Sequence, residues 1–416
     1  MAIIRAGDYS VDARARKQAA TLANAGARVI LMGVGSDVPR DAGIVGHDVR
    51  LWAPARLREP RLGKESVWWP VRVAVNLTYG KYLARRFRNR WSPICGNESL
   101  MVAAAIEAGI DVVHAYNAQA LPIAMRIKEC LGARVVYDVR DLQADVDYHS
   151  QAVQDKLSRI ESGSIHSADA VITVSDPLAE VLEHRHGPAR PIVIWNGPAV
   201  VANEAVAVHK PVRILFQGAF TRNRYLAGLV KAMTLLRGRA TLDLQGFGSL
   251  ERDLRTQVDL LGLNETVRFL PATQPLCVVP DAVDHDVGVI CYQGSTLNLQ
   301  VAVPNKLMDY LGAGLAVAAS DLPGHRSVLD GTGAGVFIDP ATPETIADGL
   351  SQLIDNPERI SSMKRAALEL AKKYEWSVQA EKLVEVYESI LIPSGSPPPV
   401  KIERAARRVG LRISSR

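Results

Sequence analysis

Ser295-Thr-Leu-Asn-Leu-Gln-Val-Ala-Val-Pro304-Asn-Lys306-Leu-Met-Asp309-Tyr-Leu-Gly-Ala-Gly314-Leu-Ala-Val-Ala-Ala319-Ser-Asp-Leu-Pro-Gly324 is the most informative run of the chain. Pro304 suits the first turn of a helix, where its missing N–H would have had no helical partner. The N–H groups of Asn305, Lys306 and Leu307 then point out together at an anion. Asp309 lies one turn further on, where an acceptor-only carboxylate can take hydrogen bonds from two vicinal hydroxyls of a ribose. One short helix would thus hold a phosphate and a ribose. The plainer reading is an amphipathic helix with Lys306 and Asp309 solvated. Leu315 to Ala319 follow as an uninterrupted apolar strand, the helix-then-strand order of a parallel sheet.

Working outward, the same alternation fills the chain. Strands are expected at Arg213 to Phe216, Thr241 to Leu244, Val267 to Leu270, Val287 to Ile290 and Val336 to Ile338 in the second half. In the first half they are expected at Ala2 to Arg5, Val29 to Val34, Asp48 to Leu51, Val112 to Ala115, Val135 to Asp138, Val171 to Val174 and Ile192 to Trp195. Helical stretches intervene, such as Val11 to Ala25 with Ala15, Ala19, Leu22 and Ala23 on one face. Trp195-Asn-Gly-Pro198 and the unpatterned residues to Pro211 read as a linker. The expectation is an α/β chain of two doubly wound Rossmann-like domains, 1–198 and 199–375. A C-terminal helix over 376–392 packs back on the first domain, and a basic disordered tail occupies 393–416.

Length and composition agree. A chain of 416 residues exceeds what one core usually supports, and 48% hydrophobic with 22% charged residues is a globular composition. The four cysteines lack the paired spacing of a metal or redox motif and read as ordinary thiols. The apolar run at the N-terminus breaks at Arg5, short of a signal-peptide core, and no window reaches the roughly 18 to 20 apolar residues of a membrane span. A cytoplasmic protein follows, peripheral at most. The net charge of +5 is concentrated at Arg85, Arg86, Arg88 and Arg90 and in the tail. Residues 67–91 mix these arginines with Trp68, Trp69, Tyr79 and Trp91, a composition suited to an anionic membrane surface or to a helix with a solvated basic face. Specific nucleic-acid binding is disfavoured, because the basic residues form no recognisable module.

Ligands of parallel sheets bind beyond the carboxyl ends of strands. Gln217-Gly218 ends one expected strand and is followed by Arg222 and Arg224, a glycine turn with forked cations suited to a diphosphate. A solvated arginine pair is the equal alternative. Gly246-Phe-Gly248 ends the next strand before a helix opened by Ser249, and such a turn more often serves packing than ligand contact.

Residues 304 to 324 resemble the C-terminal domain of group 1, family-4 glycosyltransferases, whose pattern reads P-N-K-L-[FM]-E-Y-x-x-A-G-x-P-V-[IV]-A-S-D-x-P. The resemblance extends to Gln217-Gly218 with Arg224, Gly246-Phe-Gly248, Val267-Arg-Phe-Leu270, and the closing helix with Trp376 and Tyr387. It is looser in Ala23 to Val29, Asp111-Val-Val-His114, Tyr137 to Asp141, Ala168 to Ser175 and Val193 to Asn196. It implies a GT-B fold with two domains facing each other across a cleft, a nucleotide-diphosphate sugar donor, retention of anomeric configuration and no required metal. It makes Arg224 and Lys306 the catalytic contacts to the diphosphate. It gives Gly218, Arg222, Gly246, Asn298, Pro304, Asn305, Leu307 and the ribose acid Asp309 to donor binding, with the base at the backbone of Phe269 to Pro271. Asp8, Arg140 and Asp141 fall on the acceptor side.

The chain departs from the pattern in four places. The usual ribose acid is Glu, so Asp309 loses about 1.5 Å of reach. The partner acid eight residues earlier is Val301, with Asn298 as the substitute. Arg140 stands where relatives carry a histidine near the transferred sugar. Ala219 replaces the first basic phosphate contact, with Arg222 as its substitute. The acceptor implied is a saccharide or a lipid-linked saccharide. The rival readings are a catalytically silent nucleotide-sugar-binding partner and a nucleotide-sugar epimerase or phosphorylase on the same architecture.

Overall fold

The computed structural model describes residues 1–4, 12–32, 49–52, 98–147, 149–187, 189–274 and 277–391. Asp8, the segment 67–91 and the tail 393–416 lie outside the described residues. The chain divides into two compact units, Met1–Ala144 with Ser150–Ile172 and Leu383 onward, and Asp145–His149 with Thr173–Lys382. Two sheets run through it. The first has the order β3-β2-β1-β4-β5-β6-β7, built from β1 (Ala2–Ile4), β2 (Val29–Met32), β3 (Val49–Trp52), β4 (Val112–Tyr116), β5 (Arg134–Val139), β6 (Ala170–Thr173) and β7 (Ile192–Val193). The second has the order β10-β9-β8-β11-β12-β13, built from β8 (Val212–Gln217), β9 (Ala240–Gln245), β10 (Val267–Leu270), β11 (Val287–Ile290), β12 (Ala316–Ser320) and β13 (Gly335–Ile338).

Every neighbouring pair of the second sheet is parallel, so all six strands end on one edge. Side chains alternate across the pleat, and the burial shows it. Ala316 and Ala318 of β12 enter one core with Ile214 and Phe216, while Val317 and Ala319 enter the other with Leu215 and Ile290. Both faces are covered, which explains why these strands read as continuous apolar runs.

Two local expectations change. The strand expected over Ile192 to Trp195 shortens to two residues, because the Trp195 N–H donates to Gln379 Oε1 at 3.1 Å instead of continuing a ladder. The helix expected to open at Ser249 starts at Glu251, with Leu250 at its cap and no side-chain cap bond. The boundary expected at 198/199 follows the sheets, whereas contacts assign Thr173 onward to the second unit. In that unit Ser175 caps helix Asp176–His186 and its hydroxyl donates to the Val301 carbonyl at 3.4 Å. Helix Trp376–Leu391 is shared, its residues from Leu383 onward belonging to the first unit.

The first unit is organised around a buried carboxylate. Asp138, at the end of β5, accepts from Arg14 Nε at 3.0 Å, Arg14 Nη2 at 3.2 Å and Gln18 Nε2 at 2.9 Å, and His114 Nε2 lies 3.2 Å away. His114 Nδ1 in turn meets Tyr387 Oη at 2.7 Å, tying the closing helix to β4. Arg14, His114 and Asp138 are all buried. Burial alone would raise the Asp138 pKa, but the Arg14 guanidinium and His114 outweigh it and hold the carboxyl well below its usual range.

Because the folded-state pKa of Asp138 is depressed, its contribution to stability is present above the unfolded value near 3.8 and is lost as pH falls below it. Asp138→Ala strands a buried arginine and should cost about 3–5 kcal/mol, read by urea unfolding at neutral pH. The deficit should shrink as pH falls below about 3.8, because the unfolded wild-type chain then takes up a proton that the folded Asp138 resists. An Asp138→Ala midpoint equal to wild type at pH 7 would contradict the network's role.

Candidate functional site

The geometry of the site in the second unit begins with one ring. Tyr310, on helix Asn305–Gly312, packs over Gly288 of β11, where an added Cβ would stand 2.3 Å from the ring. Its hydroxyl accepts the Gln217 N–H at 2.8 Å. These contacts seat the helix against the ends of β8 and β11, and three further side chains of that helix, Leu307, Met308 and Leu311, fill the core beneath.

Seated in this way, the helix drives Lys306 inward. Its ammonium is 3.5 Å from the centroid of Phe216 and 5.9 Å from that of Tyr292, and it is buried without a hydrogen-bond partner. It also lies beside Gly218, where an added Cβ would come within 3.2 Å of Nζ. Gly218 has φ +130, a conformation that L side chains rarely adopt. The ring faces partly replace water around the cation. Burial first, and Arg224 second, push the Lys306 pKa well below its ordinary value, against the weaker pull of Cys291 and Asp309.

Arg224 closes the short turn Arg222–Arg224 and lays its guanidinium over Tyr292, 4.1 Å from the ring centroid. Tyr292 is itself pinned at the end of β11, its N–H donating to Ser320 Oγ at 2.6 Å and that hydroxyl donating to the Ile290 carbonyl at 3.0 Å. His325 lies 5.6 Å from the same ring, with Nδ1 2.8 Å from the Ser320 carbonyl and Nε2 buried without a partner. A cavity of about 560 Å³ opens at the ends of β11 to β13, lined by Tyr292, Asp321, Leu322, Phe337 and Asp339 among others. This edge therefore gathers two cations, two aromatic faces and a glycine turn, the components of an anion site.

Of the residues expected from sequence, Gly218, Arg224, Lys306 and Gly246 meet at this edge. Gly246 approaches Gly218 so closely that a Cβ would lie 2.0 Å from the Gly218 oxygen, and its N–H donates to the Leu270 carbonyl at 3.3 Å. Phe269 packs edge-on to Phe220 and under Arg255, its ring centroid 4.2 Å from the guanidinium carbon. Asn298 and Asp309 are half-buried, on helices Leu297–Val301 and Asn305–Gly312.

Two expectations are corrected. Pro304 is the N-cap, not the first helical residue, with φ −70 and ψ 145. The Leu307 N–H donates to the Pro304 carbonyl at 2.9 Å, so the amides left at the helix start are those of Asn305 and Lys306. Arg222 is exposed, and it is the Lys306 ammonium that occupies the space beside Gly218 where Ala219 leaves no cation. Asn305 is held by Asn196, whose Nδ2 donates to its Oδ1 at 2.7 Å.

Arg140 and Asp141 lie in the first unit. Arg140 pairs with Asp12 and lies over Tyr116, and the Asp12 carboxylate raises its pKa despite burial. Among the described residues no group of three or more His, Cys, Asp or Glu is placed to hold a metal ion. Sequence reading missed Phe216, Tyr292 and His325; the first two carry only the signal of position, within or just after an apolar strand, and His325 lies in the helix Pro323–Leu329 that follows β12.

Burial, with Arg224 and Lys306 nearby, lowers the His325 pKa from 6.5 to about 4 against the pull of the Ser320 carbonyl. The folded protein therefore refuses a proton that the unfolded chain accepts. Stability should fall as pH drops from about 6.5 towards about 4, by on the order of 3 kcal/mol from this group alone. Thermal melts of wild type and His325→Gln across that range check it, the variant showing a shallower decline; parallel declines would contradict it.

Residues 11–197 match the family described as a glycosyl transferase 4-like domain, and residues 211–356 match glycosyl transferases group 1. A D-inositol 3-phosphate glycosyltransferase of Thermobispora bispora is 33% identical over 34% of this chain and 31% of its own length. A phosphatidyl-myo-inositol mannosyltransferase of Mycobacterium tuberculosis is 38% identical over 20% of this chain and 23% of its own. The chain thus aligns with about a third or less of the length of these curated relatives. The sucrose-phosphate synthase of Thermosynechococcus elongatus superposes with a TM-score of 0.71 at 16% identity, covering 94% of this chain and 98% of that one. Anabaena HepE in complex with UDP and glucose superposes with a TM-score of 0.68 at 14% identity, covering 93% and 99%. With both halves matched by glycosyltransferase families and the whole superposing on GT-B structures, the chain belongs to the group 1 GT-B glycosyltransferases.

Proposed function

We propose that this protein is a retaining glycosyltransferase that moves a hexose-type sugar from a nucleotide-diphosphate sugar to a saccharide or lipid-linked acceptor, in cell-surface glycan or glycolipid synthesis. The observation that carries the reading is the pair of cations on one strand edge, Lys306 buried beside Gly218 and Arg224 stacked on Tyr292. The mannosyltransferase among the curated relatives supports hexosyl transfer, and the UDP and glucose bound by HepE support the donor class.

As the glycosidic bond lengthens, negative charge grows on the departing diphosphate. Lys306, Arg224 and the amides of Asn305 and Lys306 stabilise it from fixed positions, which makes catalysis largely electrostatic. The arriving anion restores the proton affinity of the Lys306 amine, because an opposite charge nearby favours the ammonium form. The acceptor hydroxyl attacks from the face the diphosphate leaves, and a diphosphate oxygen takes its proton, so the chemistry asks for no protein carboxylate as base. The fixed cations do the work of neutralising charge, and the reading includes no divalent metal. The cavity beside Tyr292 offers Asp321, Asp339 and Phe337 to sugar hydroxyls and ring faces. Residues 67–91 and the basic tail have the composition to rest on an anionic leaflet that presents a lipid-linked acceptor.

Lys306→Met removes a buried, unpartnered amine, so the free protein should melt no lower than wild type. The same variant should lose the stabilisation that UDP, GDP or ADP gives wild type in a thermal-shift assay. Arg224→Ala should lower donor turnover by about a hundredfold or more. Wild-type turnover in both variants would exclude the proposed roles, and nucleotide binding without transfer to any acceptor extract would favour the silent-partner reading.

A further inference from the structure

Gly246-Phe-Gly248, at the end of β9, holds a large apolar side chain where the fold does not need one. Phe247 is 68% exposed. The backbone around it is nevertheless immobilised. The Phe247 carbonyl accepts the Phe220 N–H at 2.9 Å, the Gly246 N–H donates to Leu270, and the Gly218 N–H donates to Gln245 at 2.9 Å. Both flanking glycines are required by close approach. A Cβ on Gly246 would meet the Gly218 oxygen, and one on Gly248 would stand 2.4 Å from the Phe220 oxygen. The turn is therefore a rigid mount with no side chain on either side of the ring.

The strand order says what passes over it. β9 lies between β8, which ends at Gly218 and the Lys306 ammonium, and β10, which ends at Phe269 and Leu270. Two strand spacings separate those ends, about 10 Å along the sheet edge, the scale of one nucleoside diphosphate. A donor with its diphosphate at Lys306 and its base towards Phe269 to Pro271, as the family resemblance implies, would pass the turn that carries Phe247.

We propose that Phe247 is the stacking platform for the base of the donor nucleotide. This rests on the donor-site reading above and adds to it a residue that acts on the base alone. A π face accepts any base, so the platform supplies affinity without selecting among uracil, guanine and adenine, and selection is left to the backbone at the end of β10.

Calorimetry of wild type, Phe247→Ala and Phe247→Trp with UDP, GDP, ADP and inorganic pyrophosphate tests it. For whichever nucleotide wild type binds, Phe247→Ala should weaken affinity by about fivefold to a hundredfold, Phe247→Trp should retain it, and pyrophosphate should bind all three alike. An exposed ring contributes little to the core, so melting temperatures should agree. Nucleotide affinity unchanged in Phe247→Ala overturns this inference alone, as does a loss of pyrophosphate affinity equal to that of the nucleotide. Wild type binding none of the three nucleotides overturns the donor-site reading and this inference together.

Discussion

An ammonium group buried without a hydrogen-bond partner is an expensive thing for a fold to keep. Lys306 is kept because its helix has no freedom to withdraw it. Tyr310 occupies the space that Gly288 leaves and captures the Gln217 N–H, while Leu307, Met308 and Leu311 anchor the helix in the core. The rest of the site follows from that fixed point. Gly218 is glycine because its φ of +130 is one that L side chains rarely adopt, and the ammonium lies in the space beside it; Arg224 finds a place on Tyr292 instead of beside a carboxylate. The stability forgone in the free protein becomes binding energy when an anion arrives.

The buried charges Asp138 and Lys306 are treated in opposite ways. Around Asp138 the donors of Arg14 and Gln18 and the ring of His114 converge on one carboxylate, and the closing helix joins through Tyr387. Such a saturated network specifies structure. Around Lys306 the aromatic faces offer only partial compensation, and His325 Nε2 and Gln217 Oε1 are likewise buried without partners. Groups left unsatisfied at the carboxyl ends of parallel strands mark a place where a ligand completes the bonding.

Much of this was legible in the sequence because parallel strands buried on both faces must be apolar throughout. β11 begins and ends where its apolar run does, at Val287 to Ile290. The Pro304 to Asp309 segment identified the helix, but not its cap geometry, since Pro is acceptable both at the cap and one residue later. What escaped was whatever depends on packing. Nothing local distinguishes Arg224, which stacks on an aromatic ring, from Arg222, which is exposed. Phe216 reads as a core strand residue, and it is one; its second role appears only when the helix brings an ammonium to its face. Ile192 to Trp195 read as a full strand because the competing acceptor, Gln379, lies far away in sequence.

The central claim is that Lys306 and Arg224 grip a diphosphate at the ends of β8 and β11. A crystal structure of the protein with the best-bound nucleoside diphosphate tests it most directly. The expected result is a phosphate oxygen within hydrogen-bonding distance of Lys306 Nζ, with Arg224 turned onto the same group. A bound nucleotide whose phosphates lie elsewhere, with the Lys306 ammonium still sealed against Phe216, would contradict it.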